Sequence, residues 1–165
     1  DMFLRAALPI AEDDTCGSLT QKLSHVGAEL VCSALARIER GDIVLEKQGE
    51  GTVCRKMSRT MVDFDRPAGE VSALIRSLSP APLAFCARGD RTLNCYRAQA
   101  VPFDGAQKAG TVVVCSPKHG LIVACKEGAV RLSEVQPAGG KRMADTAFAS
   151  GGKLQEGDCF DQPVL

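Results

Sequence analysis

The sequence predicts a mainly β fold: a small closed or nearly closed β-barrel preceded by a helix, joined to the terminal strand–helix piece of an α/β domain. Three observations carry this reading. From Leu83 onward apolar residues recur at period two in five short runs separated by turn formers. Just ahead of them, residues 65–78 carry an apolar stripe at three- and four-residue steps. Residues 1–41 read as one alternating segment and one long amphipathic helix, a pair that cannot bury its own apolar faces without partner strands.

In chain order, "DMFLRAALPI" alternates, with Met2, Leu4, Ala6, Leu8 and Ile10 on one face of an expected strand. After the turn "AEDDTCGS" a helix is expected, with Ser18 as its cap and Leu19, Leu23, Val26, Leu30, Ala34 and Ile38 along its stripe. Arg37 and Arg40 suit the negative end of its dipole, and Gly41 supplies the stop. Residues 42–64 mix glycines and charges with little periodicity, as a linker does. Asp65 is the expected cap of a second helix, with Pro67 and Glu70 in its first turn, Val71, Leu74, Ile75 and Leu78 as its stripe, and "SPAP" as its end. "LAFCA", "TLNCYRAQAV", "TVVVC", "LIVAC" and "AVRLSEV" read as strands; a short helix "MADTAFAS" and a final strand "GDCF" follow. The division is therefore 1–47 for the α/β piece, 48–65 for the linker and 66–165 for the barrel.

Composition narrows the function classes. Twenty basic residues balance twenty acidic ones, so net charge gives no sign of a nucleic-acid partner and only local clusters can. Apolar residues make up 45% and charged residues 24%, a globular balance. No run approaches the ~20 apolar residues that cross a bilayer. The chain opens at Asp1 with no secretory pattern of basic start and apolar run, and reads as a cytoplasmic fragment of something longer, expected to be monomeric and without a membrane partner. The eight cysteines form no C-x-x-C pair and lie far from ligand-like spacing with His25 or His119, which argues against a metal. Cys86, Cys95, Cys115 and Cys125 fall in apolar strand-like runs, so reduced and mostly buried thiols are expected. His25 flanks a helix stripe and His119 sits in the turn "SPKHG"; neither has a catalytic setting.

Candidate binding residues come from local charge. "EVQPAGGKRMADTAF" ends an apolar run in a glycine-rich loop bearing Lys141 and Arg142, with a helix expected to begin near Met143. Two cations at a helix start oppose the dipole, so they are expected to serve a partner, with free backbone amides reinforcing an anion site. Arg55 and Lys56, beside Arg59, form a second basic cluster in the linker and are expected to help. With no Trp and one Tyr, an aromatic platform for stacking bases has little support in composition.

"EVQPAGGKRM" closely resembles the "LQPAGKKRMS" signature near the end of methionyl-tRNA formyltransferases. "DMFLRAALPIAEDDTCGSL", "IRSLSPAPLAF", "GTVVVCSPKHGLIVAC" and "GDCF" match the same family in the same order, across essentially the whole chain. The resemblance implies formyl transfer from 10-formyltetrahydrofolate to methionyl initiator tRNA by the parent protein. It also implies a Rossmann-like catalytic domain ending in residues 1–47, and an OB-fold-like C-terminal domain that holds tRNA. The family's catalytic Asn, His and Asp fall upstream of Asp1. No catalytic residue is therefore assigned, no cofactor is expected on this chain, and it is expected to be inactive alone. The family usually has Trp where this chain has Phe64, and Asn-Pro-Trp-Pro where it has "SPAP" with Ala81. That leaves an alternative: a structural C-terminal domain of a related formyltransferase acting on a sugar nucleotide or another small amine.

Overall fold

Residues 1–163 are described by a computed structural model, in two units: Asp1–Lys56, and the chain from Met57 onward. In the first unit, Thr15 starts helix α1 (Cys16–Glu39) and closes a capping box with Ser18. The Thr15 amide donates to Ser18 Oγ at 2.9 Å, and the Ser18 amide donates to Thr15 Oγ1 at 3.1 Å. Thr15, not Ser18, is thus the cap; a reciprocal pair needs a hydroxyl at both positions. Asp14 completes the entry by accepting from the Ala11 amide, the Ser18 hydroxyl and the Lys22 ammonium at 2.7–2.9 Å.

The other end of α1 is a Schellman turn. Gly41, at φ +74°, donates its amide to Ile38 O while Asp42 donates to Arg37 O. No residue of α1 is buried, and Leu23, Val31, Leu35 and Ile38 are about half exposed or more. The expected first strand is absent from the described residues. Its only ladder contact is an antiparallel bridge, Met2 with Glu46, because an alternating segment becomes a strand only where a neighbour takes its amides.

The second unit buries its own core. Thr60–Met61 (β1) runs parallel to Ala84–Arg88 (β2), and the segment leading from it inserts Val62 and Phe64, both fully buried. These residues lie in the stretch expected to be a linker, where strict alternation is too short to see. Helix α2 (Ala68–Ser77) begins after Pro67, which holds extended geometry at the cap; Asp65 is displaced two residues upstream and stays exposed. Val71 and Ile75 of α2, with Leu78 just after it, are buried as their spacing predicts.

The remaining strands are Arg91–Val101 (β3), Val112–Ser116 (β4), Gly120–Ala124 (β5), Ala129–Pro137 (β6) and Met143–Ala144 (β7), followed by helix α3 (Asp145–Ser150). They form a seven-stranded mixed sheet ordered β1-β2-β3-β6-β5-β4, with β7 added to β6. The expected closed barrel is corrected here to an open sheet with helices against it. Closure requires a continuous ladder between the end strands, with matched stagger. Instead the "GDCF" region, expected as a strand, crosses the gap as an irregular segment with one bridge, Thr111 to Cys159. It exchanges bonds with Val112 through Asp158 and Gly157, and sends the Asp161 amide to Ala87 O at 2.8 Å. Phe160 stacks on Phe64 with ring centroids 5.9 Å apart, tying the two ends of the unit together.

Asp145 is the buried charge of this unit. It accepts from Arg131 Nε at 2.7 Å, from the Leu121 amide at 3.2 Å and from the Thr146 amide at 2.9 Å. Gly120, at φ +80°, is needed there, since a Cβ would collide with the Asp145 carboxylate.

The cysteines are all thiols. Cys86, Cys95 and Cys125 are buried, whereas Cys16, Cys32 and Cys54 are exposed, against the expectation of general burial, because α1 presents Cys16 and Cys32 to solvent. Burial pushes the Cys125 thiol up to about 12 and raises Cys86 well above the usual thiol range, with the Cys95 sulfur 3.5 Å away adding to it. In native protein at mildly alkaline pH, a thiol reagent should label Cys16, Cys32 and Cys54 quickly and the three buried thiols only on unfolding; mass spectrometry of timed digests checks this.

A second expectation concerns pH. The Lys22 ammonium above all, then the Ala11 amide and Ser18 hydroxyl, hold the Asp14 carboxyl at about 2 against its ordinary 3.8. Because the folded value is depressed, this contribution is complete above 3.8 and is lost as pH falls towards 2. Amide exchange at Ser18 and Leu19 should accelerate across that window, and Asp14→Asn should remove the pH dependence.

Candidate nucleic-acid interface

The outward side chains of β3 and β6 make a polar and aromatic face in the second unit. Leu93 and Cys95 of β3 point into the core, so Asn94 stands on the opposite face by strand alternation. A register shift between Cys95 and Arg97 then puts two successive residues, Tyr96 and Arg97, toward solvent before Ala98 turns in again. Asn94 is in register with Phe85 of β2 on one side and with Gln136 of β6 on the other. The Tyr96 hydroxyl donates to Gln136 Oε1 at 2.9 Å.

Two guanidinium groups lie on the two rings of this face. Arg59 sits 3.9 Å from the Phe85 ring centroid and donates to Asn94 Oδ1 at 2.8 Å. Arg142 sits 4.2 Å from the Tyr96 ring centroid and grips Glu134 through Nε and Nη2, each bond 2.7 Å. Arg97 approaches the same carboxylate at 3.6 Å. The Arg142 hydrogen bond is the main reason the Glu134 carboxyl titrates below its usual range, and Glu134 raises Arg142 in turn.

The loop between β6 and β7 is fastened to this face. Gly139, at φ +69°, makes the turn, Gly140 donates to Pro137 O, and Gln136 Nε2 donates to Gly140 O at 3.0 Å. Lys141 is exposed and forms no ion pair among the described residues. Arg97 and Arg142 share the one acid Glu134, with Arg59 on the same face and Lys141 in its loop, so the patch is locally basic on a chain of zero formal net charge.

Of the sequence-predicted residues, the structure places Lys141 and Arg142 at this face. Arg55 and Lys56 lie in the first unit, exposed and outside any helix or strand. The loop does not deliver its two cations to a helix start. The helix α3 begins at Asp145, not Met143, and the Asp145 carboxylate accepts from the Thr146 amide in its first turn, so the start of the helix already carries an acid of its own. The stacking residues Phe85 and Tyr96 and the amides Asn94 and Gln136 were missed. Their signal is the outward half of an alternating pattern, which shows a shared face only once β2, β3 and β6 are set in register. His25 and His119 are exposed; the His25 ring stays within its own helix, 2.8 Å from Gln21 O.

The pattern of the formyl transferase C-terminal domain matches residues 56–153, more than half of the chain. The chain belongs to the formyl transferase C-terminal domain family. It is similar to the methionyl-tRNA formyltransferase of Janthinobacterium sp. (strain Marseille), 35% identical over 158 residues that cover 94% of this chain and 50% of that protein. The methionyl-tRNA formyltransferase of Symbiobacterium thermophilum is 37% identical, with 99% and 52% covered. The chain spans about half the length of the curated relatives it matches. The fold is shared with solved structures of HypX from Aquifex aeolicus. One variant has TM-score 0.67 at 18% identity, over 90% of this chain and 27% of that one. Another HypX structure, solved in complex with tetrahydrofolic acid, has TM-score 0.65 at 17% identity, over 94% of this chain and 30% of that one.

The tetrahydrofolic acid in that HypX structure raises the question of where this chain would hold such a group. A cavity of about 410 Å³ in the first unit is bordered by Phe3, Arg5, Arg37 and Glu46. Its arginines already face partners of this chain: Arg5 lies 3.7 Å from Glu46, and Arg37 pairs with Asp42 and lies over the Phe3 ring. No group of three His, Cys, Asp or Glu side chains among the described residues could hold a metal ion. Nor is any helix among them long and apolar enough to cross a membrane.

If the Arg142–Glu134 pair serves a partner more than the fold, it adds little stability. A double-mutant cycle with Arg142→Ala and Glu134→Gln, read by urea unfolding, should give a coupling of about 0–1 kcal/mol that shrinks with salt, the range for exposed pairs. A coupling well above that range assigns the pair to the fold.

Proposed function

We propose that this chain is the tRNA-binding C-terminal part of a methionyl-tRNA formyltransferase. The parent protein would transfer a formyl group from 10-formyltetrahydrofolate to methionyl initiator tRNA at the start of translation. The observation that carries the reading is the face on which two guanidiniums cover Phe85 and Tyr96 beside Lys141, on a chain whose curated relatives bear that enzyme's name. Phosphates would pair with Lys141 and with Arg142, which exchanges Glu134 for a phosphate without leaving its ring. Arg55 and Lys56 would add phosphate contacts from the first unit.

Residues 1–47 would be the end of the catalytic α/β domain, with 48–65 as its connection to the tRNA-binding part. This chain would then bind tRNA without catalysing transfer, since the family's Asn–His–Asp set has no counterpart in it. The alternative, a domain from an enzyme acting on a sugar nucleotide, is not favoured, because the matched relatives are methionyl-tRNA formyltransferases.

Filter binding of the 165-residue chain to initiator and elongator tRNA across a salt series tests the reading. Phosphate contacts carry little sequence information, so Lys141→Ala with Arg142→Ala should weaken both tRNAs alike. The slope of log affinity against log salt should flatten by roughly one to two units. Unchanged affinity and slope would remove the loop from tRNA recognition, and formyl transfer by the chain alone would overturn the division of labour.

A further inference from the structure

A second site lies at the Arg88–Arg91 end of the β2–β3 hairpin, bordered by Pro137 and Ala138 at the start of the β6–β7 loop. A cavity of about 490 Å³ opens there, within the ~300–1,000 Å³ usual for small-molecule pockets. Its wall is apolar: Leu93, Phe148, Leu154 and Phe160, each under a tenth exposed, border it together with Pro137. Its rim carries Arg88, Arg91, Lys153 and Asp90, and two further carboxylates reach the same hairpin, Asp158 on Arg88 and Asp161 on the Gly89 amide.

The rim is costly for the fold. Arg88 and Arg91 are direct cross-strand partners, and like charges directly opposite destabilise a strand pair. Asp158 neutralises Arg88 at 2.6 Å, but Arg91 and Lys153 form no ion pair among the described residues. Two cations without an ion pair, beside two phenylalanines of the cavity wall, suit a ligand with a flat apolar ring and an attached anion.

We propose that this cavity binds a nucleoside phosphate, its base against Phe148 and Phe160 and its phosphate on Arg91 and Lys153. The ligand can be an unstacked nucleotide of tRNA, in which case the site extends the function proposed above, or a free nucleotide. Both present the same chemistry, and the experiment separates them.

Calorimetry of the 165-residue chain should find AMP, GMP, CMP or UMP binding at least about tenfold tighter than inorganic phosphate or the bare nucleoside, since ring and anion act together. The double variant Arg91→Ala, Lys153→Ala should lose about tenfold. Ala138→Trp, which fills the cavity from an exposed border position, should lose as much without touching the core. Circular dichroism of both variants checks that they fold.

If the source is tRNA, the mononucleotide competes with tRNA and both variants weaken tRNA binding. If it is a free nucleotide, tRNA binding is unchanged while mononucleotide binding falls. Mononucleotides that bind no better than phosphate, or that bind both variants as well as the parent chain, overturn the site. Loss of tRNA binding in the Lys141, Arg142 variant together with indifference of the pocket variants to every nucleotide leaves the earlier reading standing and removes this one. Mononucleotide binding without any tRNA binding does the reverse.

Discussion

Asp145 is the group on which the second unit depends. A carboxylate with 2% of its side chain exposed survives in a folded protein only when donors replace the water it has lost. Here the donors come from three places: Arg131 on β6, the Leu121 amide on β5 and the Thr146 amide on its own helix. One charge therefore holds the start of α3 against two strands and sets where the chain arrives after its loop. That loop carries Lys141 and Arg142, so the position of the basic patch follows from a pair whose acid is buried while its arginine reaches solvent. Removing the arginine would leave a buried carboxylate short of donors, which makes the pair a constraint more than a source of stability.

The exposed face obeys different physics. Its ion pairs sit in high dielectric and contribute little, while each guanidinium gains from the ring beneath it. Arg142 uses both edges of its fork on Glu134 and its flat side on Tyr96. A planar cation held this way stays close to one orientation at small entropic cost, which a lysine could not reproduce. Lys141 beside it has no such fixture, and the two neighbours, alike in formal charge, differ in geometry.

The two units contrast in how they treat apolar surface. From Met57 onward the sheet and helices α2 and α3 cover a continuous core from Val62 to Phe160. In Asp1–Lys56, a 24-residue helix has no buried residue, and Val31, Leu35, Val44 and Leu45 stay more than half exposed. A well-capped helix can be locally specified at both ends and still have nothing to pack on. That fits a chain that spans about half the length of its relatives.

Periods and punctuation made most elements legible. The stripe Val71–Ile75–Leu78 named α2, five alternating runs named β2 to β6, and Gly41 marked the end of α1, because each signal is local. Caps were less legible: Thr15 and Pro67 displaced Ser18 and Asp65, since a cap depends on hydrogen bonds and backbone geometry that composition leaves open. Pairing was beyond the sequence. Whether the sheet closes depends on which edges find amides, and an irregular segment at 157–161 took the place expected of a strand. The same holds for the site. Lys141 and Arg142 could be named from a charged loop, but Phe85, Asn94, Tyr96 and Gln136 are separated by up to 51 positions and share a face only through strand register. Charge clusters are written along the chain; a surface shared by three strands exists only after they pair.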